Sequence, residues 1–282
     1  MKLVLIPKSK EEILKTNDLV DGFIIGIENL STNLPNYFDL NELKEILKQT
    51  NKEIFVSLNK NMHSTDLAIL KETLLELEKL NIKGILYYDV SLVNIKQELN
   101  LKKDLVWNGE HLVTNSLSIE FWYQEGVNYA YLSSDITKEE ILKIKQESKS
   151  TLMMNVFGYV PIFTSYRHLI KNYIKTFNLN NDSGINYIEK EGKKYPIVDS
   201  INTTVYSNNI LNTLDEFLDL KDIEYGVINS FNIDNDKLIK VINLFKNINE
   251  NNKNDILEII NKLFNNIDNG FLKKETIYKV IK

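Results

Sequence analysis

The chain has 282 residues, 43% hydrophobic and 26% charged, and contains no cysteine. The missing thiols exclude a disulfide scaffold, a zinc–thiolate centre, an iron–sulfur cluster held by the chain's own cysteines, and a cysteine nucleophile. A formal net charge of −5 argues against general nucleic-acid binding, which draws on a basic face.

The first residues, Met1 to Pro7, hold an apolar run too short for a signal peptide, with no small-residue cleavage site after it. No apolar stretch is long enough to span a bilayer, so a soluble cytoplasmic protein is expected. Short apolar runs then alternate with segments of helical period. The runs are Leu3–Ile6, Gly22–Ile27, Glu53–Leu58, Gly84–Tyr88, Leu105–Trp107, Tyr129–Leu132, Leu152–Phe157 and Tyr225–Asn229. They are rich in Ile, Val, Leu, Tyr and Phe, as buried parallel strands are.

The helices between them have readable starts. Asp39 with Glu42 resembles a capping box, followed by Leu40, Leu43, Ile46 and Leu47 on one face. Ser64 precedes a helix carrying Leu67, Leu70, Leu74 and Leu77. Asp89 and Asn115 are candidate caps for the next two. Thr137 and Glu140 form a second box, and Asp234 opens a helix with Leu238, Val241, Ile242 and Phe245 facing inward.

Eight strand–helix units predict an α/β fold, a (β/α)8 TIM-type barrel spanning residues 1–250. An open doubly wound sheet is the alternative, but no glycine-rich turn follows the first strand. Roughly 67 residues separate the seventh and eighth runs, far more than an ordinary loop. This insertion, about 158–224, is expected to hold a helix from Tyr166 to Phe177. A projecting hairpin should follow, Ile185 to Val198, turned at Gly192. Residues 251–282 are expected to form a helical extension packed on the barrel, with a helix from Ile256 to Phe264.

In such a barrel the working face lies at the carboxyl ends of the strands. Asn59, His63, Asp89, Glu110, His111 and Asp135 all follow strand ends and are the candidate catalytic residues. All three histidines fall there, after the third, fifth and seventh strands. His63, Glu110 and His111 could form a general acid/base set or a metal site, or be solvated loop residues. No H-x-x-x-H spacing exists, and no metal is assigned. Asp89 also reads as a helix cap. No G-x-S-x-G elbow marks a serine nucleophile.

The chain is rich in Lys, Asn and Ile and has one arginine, Arg167, which follows the seventh strand. Arg167 could be a bidentate anion clamp at the barrel mouth, with Tyr166, His168 and Lys171 beside it as substrate-binding residues. It could equally be paired with an acidic neighbour. Trp107 and Trp122 read as core.

Several stretches together resemble peptidase family U32, the collagenase-like family. They are Lys52–Asp66 with Asn59 and His63, Gly84–Val90 ending on Asp89, Val113–Val127, and Leu132–Ile141. Phe157-Gly158 through Tyr166-Arg167-His168 to Tyr173, Tyr187–Pro196 and Ser207–Leu218 continue the match, from about Leu3 to Phe245. The resemblance is to the short members found in low-GC bacteria. It implies a barrel-like domain and a peptidase label, with hydrolysis of a peptide at the carboxyl face. Other relatives hydroxylate RNA bases or assist quinone hydroxylation with a cluster held by four cysteines. Here His168 stands where the first of these is found, Phe157-Gly158 replaces the family's His-Gly, and Ser134-Asp135 its Arg-Glu. No cofactor and no iron–sulfur cluster is therefore expected from this chain. The alternatives to a hydrolase are a non-catalytic partner of a longer, cluster-bearing paralogue in RNA or small-molecule hydroxylation, and a binding protein for an anionic ligand.

Overall fold

In a computed structural model that describes residues 1–180 and 184–274, the chain folds as the alternation predicts. The strands are β1 (Lys2–Ile6), β2 (Gly22–Gly26), β3 (Glu53–Leu58), β4 (Gly84–Tyr87), β5 (Asp104–Trp107), β6 (Tyr129–Tyr131) and β7 (Thr151–Gly158). Between them lie α1 (Lys10–Thr16), α2 (Leu40–Gln49), α3 (Leu67–Glu78), α4 (Ser91–Glu98), α5 (Ser116–Gln124) and α6 (Lys138–Glu147). After β7 come β8 (Pro161–Ser165), α7 (Leu169–Phe177), β9 (Asn186–Lys190), β10 (Lys193–Asp199), β11 (Thr203–Tyr206) and β12 (Ile210–Asn212). Then follow β13 (Tyr225–Asn229), α8 (Asn235–Asn247), α9 (Lys253–Leu263) and β14 (Ile267–Asp268).

β1 to β7 pair in parallel, each with the next; β13 pairs in parallel with both β7 and β1 and closes the ring. Eight parallel strands covered by helices make the expected (β/α)8 barrel. Its interior is filled by Val4, Ile24, Phe55, Leu86, Val106, Tyr129, Met153, Tyr225 and Val227, among others. Phe55 meets the Tyr225 ring edge-on at 5.3 Å. The remaining apolar residues of the strands face the helices and form a larger outer core.

The helix starts follow the local chemistry. Asp39–Glu42 and Thr137–Glu140 both form complete reciprocal capping boxes. Asn115 caps α5 through the Ser118 amide, and Asp234 caps α8 through Asp236 and Lys237. The helix after Ser64 starts at Leu67, with Asp66 at the N-cap position but making no side-chain cap, since its carboxylate is taken by the His63 amide and the Lys60 ammonium. Trp107 is buried and tilts against Trp122 at 5.7 Å, but Phe121 on the same helix as Trp122 faces out.

The insertion is more ordered than a helix and a projecting hairpin. β9 and β10 do form the hairpin, turned through Glu191 and Gly192 in left-handed conformations. It does not project freely, however: β10 pairs with β11 and β11 with β8, giving a four-stranded antiparallel sheet ordered β8-β11-β10-β9. The helix begins at Leu169 rather than Tyr166, because Thr164 and Ser165 are still in the sheet, paired with Thr204 and Thr203. β12 leaves the insertion to pair antiparallel with the end of β7, and β14 adds to β12 in parallel, so the tail extends the barrel sheet. The tail helix spans Lys253–Leu263, and Phe264 packs on Phe157 at 5.5 Å. Of the expected 251–282 extension, residues 275–282 lie outside the described residues. Among the described residues no helix is long and apolar enough to cross a membrane.

Candidate functional site

The carboxyl mouth of the barrel is shaped first by the connection from β2 to α2, residues 27–39, long for a strand–helix loop. Asn29 and Asn33 take left-handed backbone conformations, which asparagine tolerates better than most residues. The loop folds back so that Leu34 packs on the interior cluster, over Gly26, where any side chain would collide with it. Ser31 Oγ accepts from the Ile27 amide at 2.7 Å and donates to the Ser57 carbonyl. Asn59 is buried and uses both ends of its amide on Thr32: Nδ2 donates to the carbonyl at 3.1 Å and Oδ1 accepts from the amide at 3.0 Å.

Asn33 then joins this loop to the rest of the rim. Its Nδ2 donates to Glu110 Oε1 at 2.9 Å, and its Oδ1 accepts from Thr204 Oγ1 at 3.2 Å and from Thr164 Oγ1. One buried amide therefore ties the second strand's loop to the fifth strand's loop and to the small sheet. Glu110 itself sits at φ 50 in a single 3-10 turn, Glu110–Leu112, with His111 exposed beside it.

A second group lies outside that plug. The His63 ring meets the Tyr166 ring edge-on at 6.1 Å, and the Tyr166 hydroxyl reaches the Asn61 carbonyl at 3.3 Å. Asp89 Oδ2 accepts from the Met62 amide and Oδ1 from the Ser91 amide, both at 2.9 Å, so it holds the His63 loop to the start of α4. Partial burial raises the Tyr166 phenol, and the nearby carboxylates of Asp66, Glu110 and Asp89 push it the same way. Partial burial would raise Asp66, but the His63 amide and the Lys60 ammonium at 2.9 Å together hold it below its usual range. The fold thus brings His63, Asp89, Glu110 and Tyr166 to one side of the rim. Asp135 is exposed after β6, where its amide donates to Ser133 Oγ at 3.1 Å.

A third group sits where the small sheet meets α7. His168 Nδ1 lies 2.9 Å from Asp199 Oδ1, and Asp199 Oδ2 accepts from the Lys171 amide at 3.0 Å. Thr203 Oγ1 accepts from the Leu169 amide and lies 2.9 Å from Asp199 Oδ1. Burial would raise the Asp199 carboxyl, but the Lys171 amide, His168 and Thr203 hold it below the ordinary value of 3.8. An ionised carboxylate only accepts, so Nδ1 carries the ring proton.

Arg167 is exposed, and among the described residues it forms no ion pair. Its backbone amide is fixed by Ser165 Oγ at 3.1 Å, leaving the guanidinium to solvent. Arg167→Lys should therefore leave the thermal midpoint within about 1 °C of wild type, since exposed substitutions away from packed features cost within ~0.5 kcal/mol. A fall of several degrees by differential scanning fluorimetry would mean that the guanidinium is a structural ion pair after all.

Among the described residues no three His, Cys, Asp or Glu side chains gather as a metal site, and no hydroxyl is hydrogen-bonded to a histidine ring. The donors around His168 are a carboxylate, a threonine hydroxyl and backbone groups, which do not fit an iron–sulfur cluster. Sequence reasoning placed the loops but missed Asn33, Asp66, Asp199 and Thr203, which organise them. The unusual length of the 27–39 loop was the one signal pointing to Asn33.

The profile of Peptidase family U32 matches residues 15–279. The chain belongs to peptidase family U32. It is similar to tRNA hydroxylation protein P2 of Bacillus subtilis (strain 168), with 26% identity over 98% of this chain and 99% of that protein. It is also similar to tRNA hydroxylation protein P1 of the same organism, 22% identical over 56% of this chain but only 38% of P1. P1 is the longer of the two, since 161 aligned positions make 38% of it whereas 308 make 99% of P2. Among solved structures, the U32 peptidase Mk0906 superposes with a TM-score of 0.53 over 81% of this chain and 92% of that one, at 14% identity. That likeness bears on the barrel fold alone.

Proposed function

We propose that this U32 chain is a subunit of a tRNA-hydroxylating system, working beside a longer paralogue that carries the redox chemistry. The observation behind this is the end-to-end similarity to P2, set against the partial match to P1. The donor set agrees: a chain without a single thiol cannot hold an iron–sulfur cluster by itself, so a cluster would belong to the partner. The peptidase label finds less support. A serine or threonine hydrolase needs a hydroxyl within hydrogen-bond reach of its base, and among the described residues the histidines at the rim have none.

The rim is instead suited to binding and positioning. Asn33 and Asn59 hold the loops, Asp89 fixes the His63 loop, and Arg167 presents planar paired donors to an anionic group. The test is affinity purification of the tagged chain from its host, with mass spectrometry of the tRNA nucleosides from a strain lacking it. Co-purification of a longer U32 protein and loss of a hydroxylated nucleoside are expected. Unchanged tRNA with no such partner, or cleavage of a peptide library by the isolated chain, would defeat the proposal.

A further inference from the structure

After α9 the chain runs past β12 to the start of α6 as a strap, residues 264–274. Phe264 seats its beginning on Phe157, and β14 pairs two of its residues with β12. Among the described residues after Phe264 only Leu272 is buried, at 5% exposure; Ile267 is half-buried, and Lys273 and Lys274 are exposed. The other ties are polar. The Ile210 amide donates to the Asn266 carbonyl at 2.8 Å, Asn209 Nδ2 to Asp268 Oδ2 at 2.9 Å, and the Lys138 amide to the Leu272 carbonyl at 3.0 Å.

Leu272 covers a pocket beside β6 and β7. Ser133, Ser134, Asn155 and Thr213 contribute to its walls, and with Leu272 in place about 10 Å³ is left, room for one water. Thr213 is fully buried, and among the described residues its Oγ1 has no hydrogen-bond partner. Asn155 leads from the pocket to the barrel interior. Its Nδ2 donates to Ser134 Oγ at 2.9 Å, and its Oδ1 accepts from the Tyr131 hydroxyl at 2.7 Å.

One ammonium fastens the strap. Lys273, next to Leu272, lies 2.9 Å from Glu216 Oε1 and also pairs with Asp215. Asp215 has a second cation, Lys253 at 2.9 Å. Glu216 is 1% exposed, and among the described residues Lys273 is its one cation. Glu216 Oε2 is buried without a partner, and Asn269 Nδ2 reaches Oε1 only at 3.4 Å.

We propose that the strap is a lid: residues 265–274 open as a unit, with Lys273 as the catch, and uncover the pocket at Ser134, Asn155 and Thr213. Three features make this opening less costly than unfolding the barrel. β14 is a two-residue strand at the edge of its sheet, so its release takes no barrel strand with it. The strap has one buried apolar anchor, whereas the barrel strands are buried on both faces. Opening also returns the dry oxygens of Thr213 and Glu216 to water, which recovers part of what their burial costs. The open state gives solutes a side approach to Asn155, and it is independent of whether the chain is a subunit of a hydroxylating system.

The test uses the absence of cysteine. Thr213→Cys gives the full chain one thiol beneath the strap, in place of a hydroxyl that bonds nothing. Val106→Cys, fully buried in the barrel interior, is the control. Each is reacted with an aromatic disulfide that releases a coloured thiolate, over a series of low urea concentrations. Position 213 should react at least about tenfold faster than position 106, with little dependence on urea, because a local opening exposes little surface. Position 106 should depend steeply on urea, as global unfolding does. Lys273→Gln should speed the reaction at 213 by about tenfold. That is less than the loss of a fully buried partner would give, since the ammonium is half exposed. Lys253→Gln, which removes a cation from Asp215 but not from Glu216, should change the rate at 213 by no more than about twofold. Hydrogen exchange of the unaltered protein should show residues 265–274 exchanging ahead of β6 and β7. Equal rates and equal urea dependence at the two positions would overturn the proposal, and so would exchange of the strap together with the barrel. No acceleration by Lys273→Gln, or the same acceleration by Lys253→Gln, would overturn the role of Lys273 as the catch.

Discussion

Gly158→Ala should destabilise the protein by about 3 kcal/mol or more, roughly 5–10 °C in thermal midpoint, a larger loss than at any other glycine in a turn of this chain. Gly158 is the last residue of β7, where the chain leaves the barrel for the insertion. It has φ +119, a region that residues with a Cβ avoid. An added Cβ would also run into the Asn229 carbonyl oxygen, which belongs to the backbone of β13 and cannot swing aside. The neighbourhood is already constrained. Asn229 Nδ2 donates to the Tyr159 carbonyl at 3.1 Å and its Oδ1 accepts from the Phe231 amide at 2.9 Å. Gly126, at φ +82 with open space around it, separates the two causes: Gly126→Ala should cost only about 1 kcal/mol. Equal midpoints for the two variants would show that the close approach of β7 to β13 contributes nothing. The effect should reach function too, because Gly158 sets the direction in which β8 and α7, and with them Arg167, leave the barrel.

The barrel is legible in the sequence because its strands are buried on both faces. Runs such as Gly22-Phe23-Ile24-Ile25-Gly26 carry no polar residue to interrupt the signal, and the caps at Asp39, Thr137 and Asp234 mark where each helix must start. The small sheet is not legible for the opposite reason. Pro161–Ser165 is half exposed and reads as loop, and the buried β11, Thr203-Thr204-Val205-Tyr206, lies among Asn and Ser. β12 and β14 are too short to show any periodicity.

The same division holds at the site. Loop positions follow from the topology, so His63, Asp89, Glu110 and Tyr166 can be placed at the rim from strand ends alone. What each side chain does cannot. In an asparagine-rich chain nothing distinguishes Asn33 from its many surface counterparts, although it bonds three separate elements. By sequence Asp199 merely follows the hairpin expected to end at Val198, and the structure carries the strand on to include it. Only the antiparallel pairing of β10 with β11, which sets Asp199 opposite Thr203, brings it under His168.

That pairing makes Asp199→Ala the second large loss, at about 2–4 kcal/mol at neutral pH. The carboxylate is 6% exposed and serves the His168 ring and the Lys171 amide, so its removal leaves two polar groups without their acceptor, whereas the Thr203 hydroxyl keeps the Arg167 carbonyl at 2.7 Å. The loss should depend on pH in a defined direction. Asp199 is held below its ordinary value of 3.8 in the folded state, so the unfolded chain binds the proton more readily. Its contribution to stability is complete above about 3.8 and declines as pH falls through the lower folded value. Other carboxylates titrate in the same range, so the quantity to follow is the difference between wild type and variant. Urea unfolding of the pair at about pH 7, 4 and 3 should show a wide gap at neutral pH, little changed near pH 4 and narrower near pH 3. A gap that stays constant would place the cost in poorer packing instead of in the ionised carboxylate.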